Sequence, residues 1–501
     1  MKNKVLSTIL FITVLVLLIA AEALTAAILL RLEMLPDKYV IIMAIALVLL
    51  AAMIGLLLFL PARKGKTGNV RRVIACVVAL LLVCGCAVVS KLAADAYETI
   101  HTVTKPAPEV SLRDMYVLVR EEDPAKTLAD TTDYTFGYVE NYNYEQTQQA
   151  VGELEAAFGK APTLVGYTTS AATVTALING ETGAAFLNGI HVTLLLEEDA
   201  FADMFDKVRI LKTIPHTEEI YTTTTETTLP EPSITNTPFA VYISGADNRS
   251  GINYSGRSDV NILMLVNPVT KQILLINTPR DFYVSNSAGK GKKDKLTHLS
   301  LYGVDCSMKA LEELYDVEIE HYAKINFTGF EKLVDAVGGI TVYSDESFTT
   351  DYRKIKIKVG ENKLNGKEAL AFARERKSVS GGDRGRGKNQ MKVISAIVDK
   401  ATSGTTIISN YSKILNSLSG MFKTDLEKSD ISKLVKMQLN DMASWDIKSY
   451  AVTGTGASEI TYSMPGVKLY VMKPDKKTVN QAQELIKKLY AGEAITDEDV
   501  K

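Results

Sequence analysis

Cysteine is scarce in this sequence, and so is any imbalance of charge. Four cysteines occur in 501 residues. Cys76, Cys84 and Cys86 lie in one apolar run, which leaves Cys306 alone in the polar part. That excludes a disulfide framework, a zinc-ligand pattern and a CxxC redox motif. Cys306, in a helix-like stretch, reads as a small core residue. The formal net charge is only -2, so the global basic footprint of a nucleic-acid-binding protein is missing. Any anion site has to be local. One stretch qualifies: "ARERKSVSGGDRGRGKNQ", residues 373–390, carries six basic and two acidic side chains in eighteen positions. It holds no aromatic residue, which argues against stacking on single-stranded nucleic acid. Most charge runs simply face water; the remaining sequence decides whether this one does.

A chain of 501 residues predicts two or three domains. The 47% hydrophobic content is high, and much of the excess sits in residues 1–95. Val5–Leu30, Tyr39–Leu60 and Val73–Val89 are each about long enough to cross a ~30 Å hydrocarbon core. Lys2 and Lys4 ahead of the first span imitate a signal peptide, but two further spans close behind point to an anchor. The loop "PARKGKTGNVRR" carries Arg63, Lys64, Lys66, Arg71 and Arg72, whereas "RLEMLPDK" is balanced. The positive-inside rule then places the N-terminus and the 61–72 loop in the cytoplasm and residues after about 95 outside the cell.

Residues 216–238, "HTEEIYTTTTETTLPEPSITNTP", are rich in Thr and Pro and read as an extended linker. Before the linker, residues 96–215 alternate as a small α/β domain. "MYVLV" and "TLVGYT" read as strands and "EQTQQAVGELEAAF" as a helix. "SAATVTALINGETGAAFL" reads as one helical stretch and "HVTLLLE" as a strand. No catalytic constellation is visible there, and a spacer or protein-contact role is expected. After the linker, residues 239–475 predict a mixed sheet sandwiched by helices, followed by a C-terminal helix and tail over 476–501. "VNILMLVNP" and "QILLINTP" are continuous apolar strands, suited to a sheet covered on both faces.

In open α/β sheets ligands sit beyond the carboxyl ends of strands, and the charged residues fall at such places. Asp247 and Arg249 follow "FAVYIS". Arg257 and Asp259 come just before the second strand; Arg280 and Asp281 follow the third, with Lys295 shortly after. Arg374 and Arg376, two apart, share a side if the segment is extended. Asp383, Arg386 and Gln390 share one face of the helix that begins near Met391, whose N-terminus adds partial positive charge. Several arginines with a few aspartates suit a phosphate or pyrophosphate, gripped by guanidinium forks beside a carboxylate-held Mg²⁺. Ordinary Arg–Asp salt bridges are the plainer reading of any single pair; four clusters converging favour the phosphate.

The segments "GADNRSG" to "GRSDVNILMLVNP", "LLINTPRDFYV", "DKLTHLSLYGVDCSMKALEELY", "INFTGFEKLVDAVGGITVYSD" and "LNGKEALAFARERKSVSGGDRGRGKNQM" together resemble the LytR–CpsA–Psr family. The resemblance covers residues 239–475. It implies a membrane-anchored phosphotransferase that moves a glycopolymer, of wall teichoic acid or capsule type, from a polyprenyl pyrophosphate to peptidoglycan with Mg²⁺. It also implies an α/β sandwich with a hydrophobic lipid pocket. By position, Asp247 and Asp259 match the acidic residues near the metal. Arg257, Arg280, Arg374, Arg376 and Arg386 match the pyrophosphate-binding arginines, and Asp383 and Gln390 match the closing D…R…Q. Lys295 is grouped with the pyrophosphate ligands. Thr297 stands where some members carry Asn and is left out of the site.

Two carboxylates, Asp383 and Asp281, remain candidates for the general base, with Arg280 beside them. A polyprenyl chain requires an apolar tunnel, expected along "NILMLV" and "ILLIN" and opening beside Arg257. Capsule or wall-assembly proteins are the expected partners. Hydrolysis of the lipid pyrophosphate and a non-catalytic envelope receptor or scaffold are the competing readings.

Overall fold

The structure is a computed structural model of the 501-residue chain. It describes residues 2–31, 34–60, 66–103, 114–140, 144–196, 198–215, 233–246, 256–403, 414 and 421–501. Three helices open it: α1 (Lys2–Arg31), α2 (Asp37–Phe59) and α3 (Lys66–Val103). Within them Leu6–Arg31, Asp37–Phe59 and Val70–Asp95 are long and apolar enough to cross a membrane. Arg71 and Arg72 donate to the Leu60 and Leu58 carbonyls at 2.6 and 3.0 Å. They cover carbonyls that the end of α2 leaves open.

The first α/β domain is a five-stranded mixed sheet. Its strands are β1 (Met115–Arg120), β2 (Thr135–Val139), β3 (Thr163–Tyr167), β4 (Ala184–Asn188) and β5 (Val208–Ile214), in the order β3-β2-β4-β1-β5. Helix α4 (Tyr144–Phe158) covers one face, and α5 (Ser170–Ile178) and α6 (Gly189–Leu195) the other. Two sequence expectations are corrected here. "SAATVTALINGETGAAFL" is a helix and a strand, split at Gly180, whose φ of 77° only glycine adopts freely. Of "HVTLLLE", residues 191–196 lie in α6 and its C-cap, not in a strand. Asn188 caps this helix through the Ile190 N–H at 2.9 Å. Its apolar run lacks helical alternation because both faces are buried. Val192 and Leu195 fill the core of their own domain, whereas Ile190 and Leu194 join that of the next. Short apolar runs cannot be typed by periodicity.

The second domain is built on β6 (Phe239–Ala246), β7 (Ser258–Asn267) and β8 (Gln272–Asn277). A small hairpin follows, β9 (Tyr283–Ser285) and β10 (Lys293–Lys295), then α7 (Leu296–Leu299), α8 (Val304–Tyr315) and β11 (His321–Asn326). The six-stranded sheet runs Phe422–Thr424, β11, β6, β7, β8, Asp446–Ala451. β6 and β11 are parallel, and β7 is antiparallel to both β6 and β8. The carboxyl ends of β6, β8 and β11 and the start of β7 therefore share one edge. Every residue of β8 is buried, as its continuous apolar sequence predicts for a sheet covered on both sides. Cys306 lies in that core. So do Val479, Ala482, Leu485 and Ile486 of helix Lys476–Tyr490: the segment set apart as a C-terminal helix and tail completes the core. Three more helices stand over the opposite face or its margin: α9 (Phe327–Ala336), α10 (Gly366–Arg374) and α11 (Asp383–Thr402).

Candidate functional site

Three helix ends meet at the shared strand edge. Asn326 closes β11 and caps α9 through the Gly329 N–H at 2.8 Å. Helix α10 starts with a reciprocal capping box between Asn365 and Glu368 and ends at Arg374. Helix α11 starts at Asp383 and passes very close to the end of β8. A Cβ on Gly387 would stand 2.2 Å from Asn277 Nδ2, so any larger residue would have to displace the Asn277 side chain.

Between β6, β7, β11 and these helices lies a cavity of about 320 Å³. Ile243, Met264, Ile325, Phe330, Leu333, Leu370, Val393, Ile394 and Ile397 make it apolar. At one end it is polar, with Asp259, Arg374, Arg386 and Gln390. Only Asp259, Val260 and Met264 come from β7, and no residue of β8 takes part. The expected lining by "ILLIN" is thus corrected: both faces of β8 are spent on closed cores. The mouth is framed by Asp259, Arg374 and Arg386, and Arg257 is not among the lining residues. Strand Phe422–Thr424 supplies Phe422 to the cavity wall and also touches α3.

The charges alternate around the polar end. Arg280 Nη1 donates to Asp259 Oδ1 at 2.8 Å, and its Nε lies 3.7 Å from Asp281 Oδ2. Lys295 Nζ donates to Asp281 Oδ1 at 3.1 Å. Arg386 Nη2 pairs with Asp383 Oδ1 at 2.5 Å, one helical turn apart. Burial pulls the Arg280 guanidinium down, but Asp259, Asp281 and Asp383 together outweigh it and leave its proton affinity above the usual arginine value. Arg386 goes the other way. Burial lowers it, Asp383 and Asp259 oppose, and the Arg280 and Arg376 charges add to the lowering. Four half-buried cations, Arg280, Lys295, Arg374 and Arg386, thus stand at an end that holds three carboxylates, Asp259, Asp281 and Asp383. The buried Nε of Arg280 has no hydrogen-bond partner. Such an excess of half-buried donors is stabilised by an anion.

Arg374 and Arg376 do not share an extended side, as the sequence reading has it. Arg374 is the last residue of α10, with its guanidinium 4.3 Å from the Phe327 ring centroid and 4.9 Å from that of Tyr352. Two aromatic faces hold it over the cavity mouth. Arg376 is exposed at the rim. Asp259 is the second residue of β7 rather than a residue before it. Arg257, half-buried, precedes the strand directly. Asp383, Arg386 and Gln390 share a face of α11 as expected, although the helix begins at Asp383 rather than near Met391. Asp247 and Arg249 lie outside the described residues. Thr297 is buried, and its N–H donates to the Arg280 carbonyl at 2.8 Å.

Sequence reasoning missed Phe327, Tyr352 and Glu375. Glu375 is 3% exposed. Its Oε1 accepts the N–H groups of Arg376, Lys377 and Ser378 at 3.1, 2.8 and 2.8 Å, and its Oε2 that of Asp351 at 2.5 Å. One buried carboxylate therefore ties down the loop after Arg374. The spacing of Asn365 and Glu368 is the one local signal that could have marked a helix start there and so placed Arg374 at a helix end.

The cavity is apolar along its length and framed at its mouth by fixed cations and carboxylates, in a chain that carries three membrane-length helices. The LytR_cpsA_psr family profile matches residues 209–488, more than half of the chain, and the chain belongs to that family. A relative from Enterococcus faecalis (strain ATCC 700802 / V583) is 40% identical over 199 residues, 39% of this chain and 64% of the relative. One from Bacillus subtilis (strain 168) is 37% identical over 213 residues, 42% of this chain and 63% of the relative. Both are named polyisoprenyl-teichoic acid–peptidoglycan teichoic acid transferase TagU. The chain thus spans just under two thirds of the length of these relatives. The crystal structure of B. subtilis TagV is similar at 26% identity and a TM-score of 0.43, over 52% of this chain and 99% of that one.

Proposed function

We propose that this protein transfers a teichoic-acid-type glycopolymer from a polyprenyl pyrophosphate to peptidoglycan. The cavity carries the reading. A polyprenyl chain has no polar atom to pair and needs an apolar sleeve, whereas a pyrophosphate needs fixed cations. Here the sleeve ends in Asp259, Arg374, Arg386 and Gln390. The names of the relatives support the same reading.

In this mechanism Arg374 and Arg386 grip the pyrophosphate, with Gln390 beside them. Arg280 and Lys295 stand behind, and Arg257 and Arg376 extend the positive field. A sugar hydroxyl of peptidoglycan attacks the phosphorus that bears the polymer. The bond from that phosphorus to the bridging oxygen breaks, and polyprenyl phosphate leaves with the oxygen. The fixed guanidinium groups stabilise the charge gathering on the leaving phosphate. Asp383 takes the hydroxyl proton as general base. Its side chain is 31% exposed, against 16% for Asp281, which Lys295 and Arg280 hold.

Mg²⁺ belongs to the same proposal and would act as a Lewis acid on the pyrophosphate charge. The residues fit it in one way. Among the described residues no group of three or more His, Cys, Asp or Glu could hold a metal alone. Mg²⁺ commonly takes one or two carboxylates and completes its shell with substrate phosphates and water. Asp259 at the cavity mouth is such a carboxylate; Asp247, the other expected ligand, lies outside the described residues.

The domain faces the cell exterior in this reading, as the basic cytoplasmic loops require. A cysteine placed near Lys501 should react with a membrane-impermeant thiol reagent in intact cells; protection there overturns the orientation. For the chemistry, a radiolabelled lipid-linked polymer is offered with and without peptidoglycan. Label moving to peptidoglycan supports transfer. Equal release of polymer without peptidoglycan means hydrolysis, and no turnover with either means a receptor or scaffold.

A further inference from the structure

The three apolar helices pack unevenly. At one end of the bundle Val14, Leu18, Ile54, Leu58, Ala75 and Ala79 close a core. Further along, an apolar groove of about 510 Å³ lies between α1 and α2. Much of its lining is small: Ala23, Ala26, Ala44, Ala51, Ala52 and Gly55. Small side chains let another helix backbone come close. Among these apolar residues stands one carboxyl group, Glu22. It is 6% exposed, and its buried Oε1 has no hydrogen-bond partner.

Glu22 lies about nine residues, hence about 13 Å of helix rise, from the Arg31 end of α1. That depth is inside the hydrocarbon layer, where an unpaired ionisable group is costly and usually meets a partner. The next polar residue along α1 shows what a satisfied contact looks like. Thr25 Oγ1 lies 2.9 Å from Ser90 Oγ and 3.3 Å from the Cys86 carbonyl on α3. The face of α1 toward α3 is therefore complete, and the face toward the groove is not.

We infer that the groove receives a transmembrane helix of a partner protein that presents a lysine or arginine to Glu22. The carboxylate selects the occupant. A polyprenyl tail has no donor to offer it, and a lipid phosphate would be repelled by it. A basic side chain supplies both donor and charge, and the alanine lining lets the helix that carries it approach. This inference is independent of the transfer reaction and is tested without it.

The full chain is reconstituted in phosphatidylcholine vesicles with two synthetic leucine-alanine helices, one with a single central lysine and its all-apolar twin. Association is read by energy transfer. The lysine helix should bind about ten-fold more tightly than its twin. Glu22→Leu should abolish the preference, and Glu22→Gln, which keeps the shape without the charge, should lose most of it. Ala51→Leu fills the groove while leaving Glu22 in place and should weaken binding of the lysine helix. Equal binding of both probes to the wild type, or a preference that survives Glu22→Leu, overturns the inference. Energy transfer between two labelled copies of the chain that vanishes in Glu22→Leu also overturns it, since the occupant is then a second copy. So does binding of a labelled polyprenol to the wild type that Ala51→Leu abolishes, which makes the groove a lipid slot.

Discussion

The two α/β domains share an architecture and differ in what they do with it. Each is a mixed sheet with helices on both faces. In the first, both faces are closed by packed cores, and its arginines serve the backbone. Arg209 Nη2 donates to the Asp123 and Ala125 carbonyls at 2.8 and 2.5 Å, and Arg120 Nη1 to those of Leu177 and Thr182 at 3.2 Å. In the second, the helices stand off one part of the sheet, the space between stays open, and arginines meet carboxylates and aromatic rings at its mouth. Architecture alone assigns no function; the placement of charge against an opening does.

The sharpest way to break this contrast is to remove an arginine from each domain. Arg374→Ala or Arg386→Ala should cut transfer roughly thirty- to a thousandfold, as expected for losing about 2–4 kcal/mol of charge-assisted binding to a desolvated phosphate. Thermal unfolding should change little. Arg374→Lys should rescue only in part, because an ammonium cannot stack on Phe327 and Tyr352 as a planar fork does. Arg209→Ala should do the reverse, lowering stability by about 1–3 kcal/mol while transfer stays within about two-fold. If both variants lose transfer alike, the domains are one functional unit and the contrast fails.

A second test uses pH. His191 in α6 is buried, and burial pushes its pKa down from the usual 6.5 to about 3. The folded state thus keeps it neutral, whereas the unfolded chain protonates it below about 6.5. Between those values the unfolded state binds more protons, so stability falls as the pH falls. From pH 7 to pH 5 the loss should be about 2 kcal/mol. Denaturant titrations at both pH values check it, and His191→Gln should remove that part of the slope. An unchanged slope means that His191 does not set the acid limit of the first domain.

A third test fills the cavity. Ile394 lies on its wall, partly buried, away from the charged end. Ile394→Trp should reduce turnover of a long polyprenyl donor about ten-fold and spare a donor with a short lipid, since only the sleeve is shortened. Equal loss with both donors would place the lipid elsewhere.

How much of this could be read from the sequence depended on where each signal lay. The strands β6 to β8 were plain because each is a continuous apolar run bounded by turn residues. The shared face of Asp383, Arg386 and Gln390 was plain because helical spacing is local. What failed was non-local. α6 is apolar on both sides because a second domain covers it, so its run imitates a strand. The grip on Arg374 comes from Phe327 and Tyr352, aromatic residues remote in sequence and brought together only by the fold. Glu375 looked like one more member of a charged run; its burial depends on the chain folding back over it. The cavity followed from the standing-off of α9, α10 and α11, which no periodicity encodes.

The smallest expected effect tests whether the basic run is one object or several. Arg374 and Arg386 line the cavity, and Arg376 stands at its rim. Lys377 lies in solvent instead, and its Nζ meets Asp351 Oδ2 at 2.8 Å. Lys354 reaches the other oxygen of the same carboxylate at 2.9 Å. Hydrogen bonds from Lys377 and then Lys354 hold the Asp351 carboxyl down at about 2. Exposed pairs of this kind contribute little, because water screens them and each replaces hydration it had before. Lys377→Ala should therefore leave transfer within about two-fold of the wild type, the range expected of a weak surface contact. Its one clear signature should be an upward move of the Asp351 titration, read by carboxyl carbon chemical shifts, with Lys354 still holding part of the depression. Arg376→Ala should fall between Lys377→Ala and Arg374→Ala, since Arg376 reaches Arg386 only through its charge. If all three variants prove equally mild, the run is a solvated loop and the site lies elsewhere.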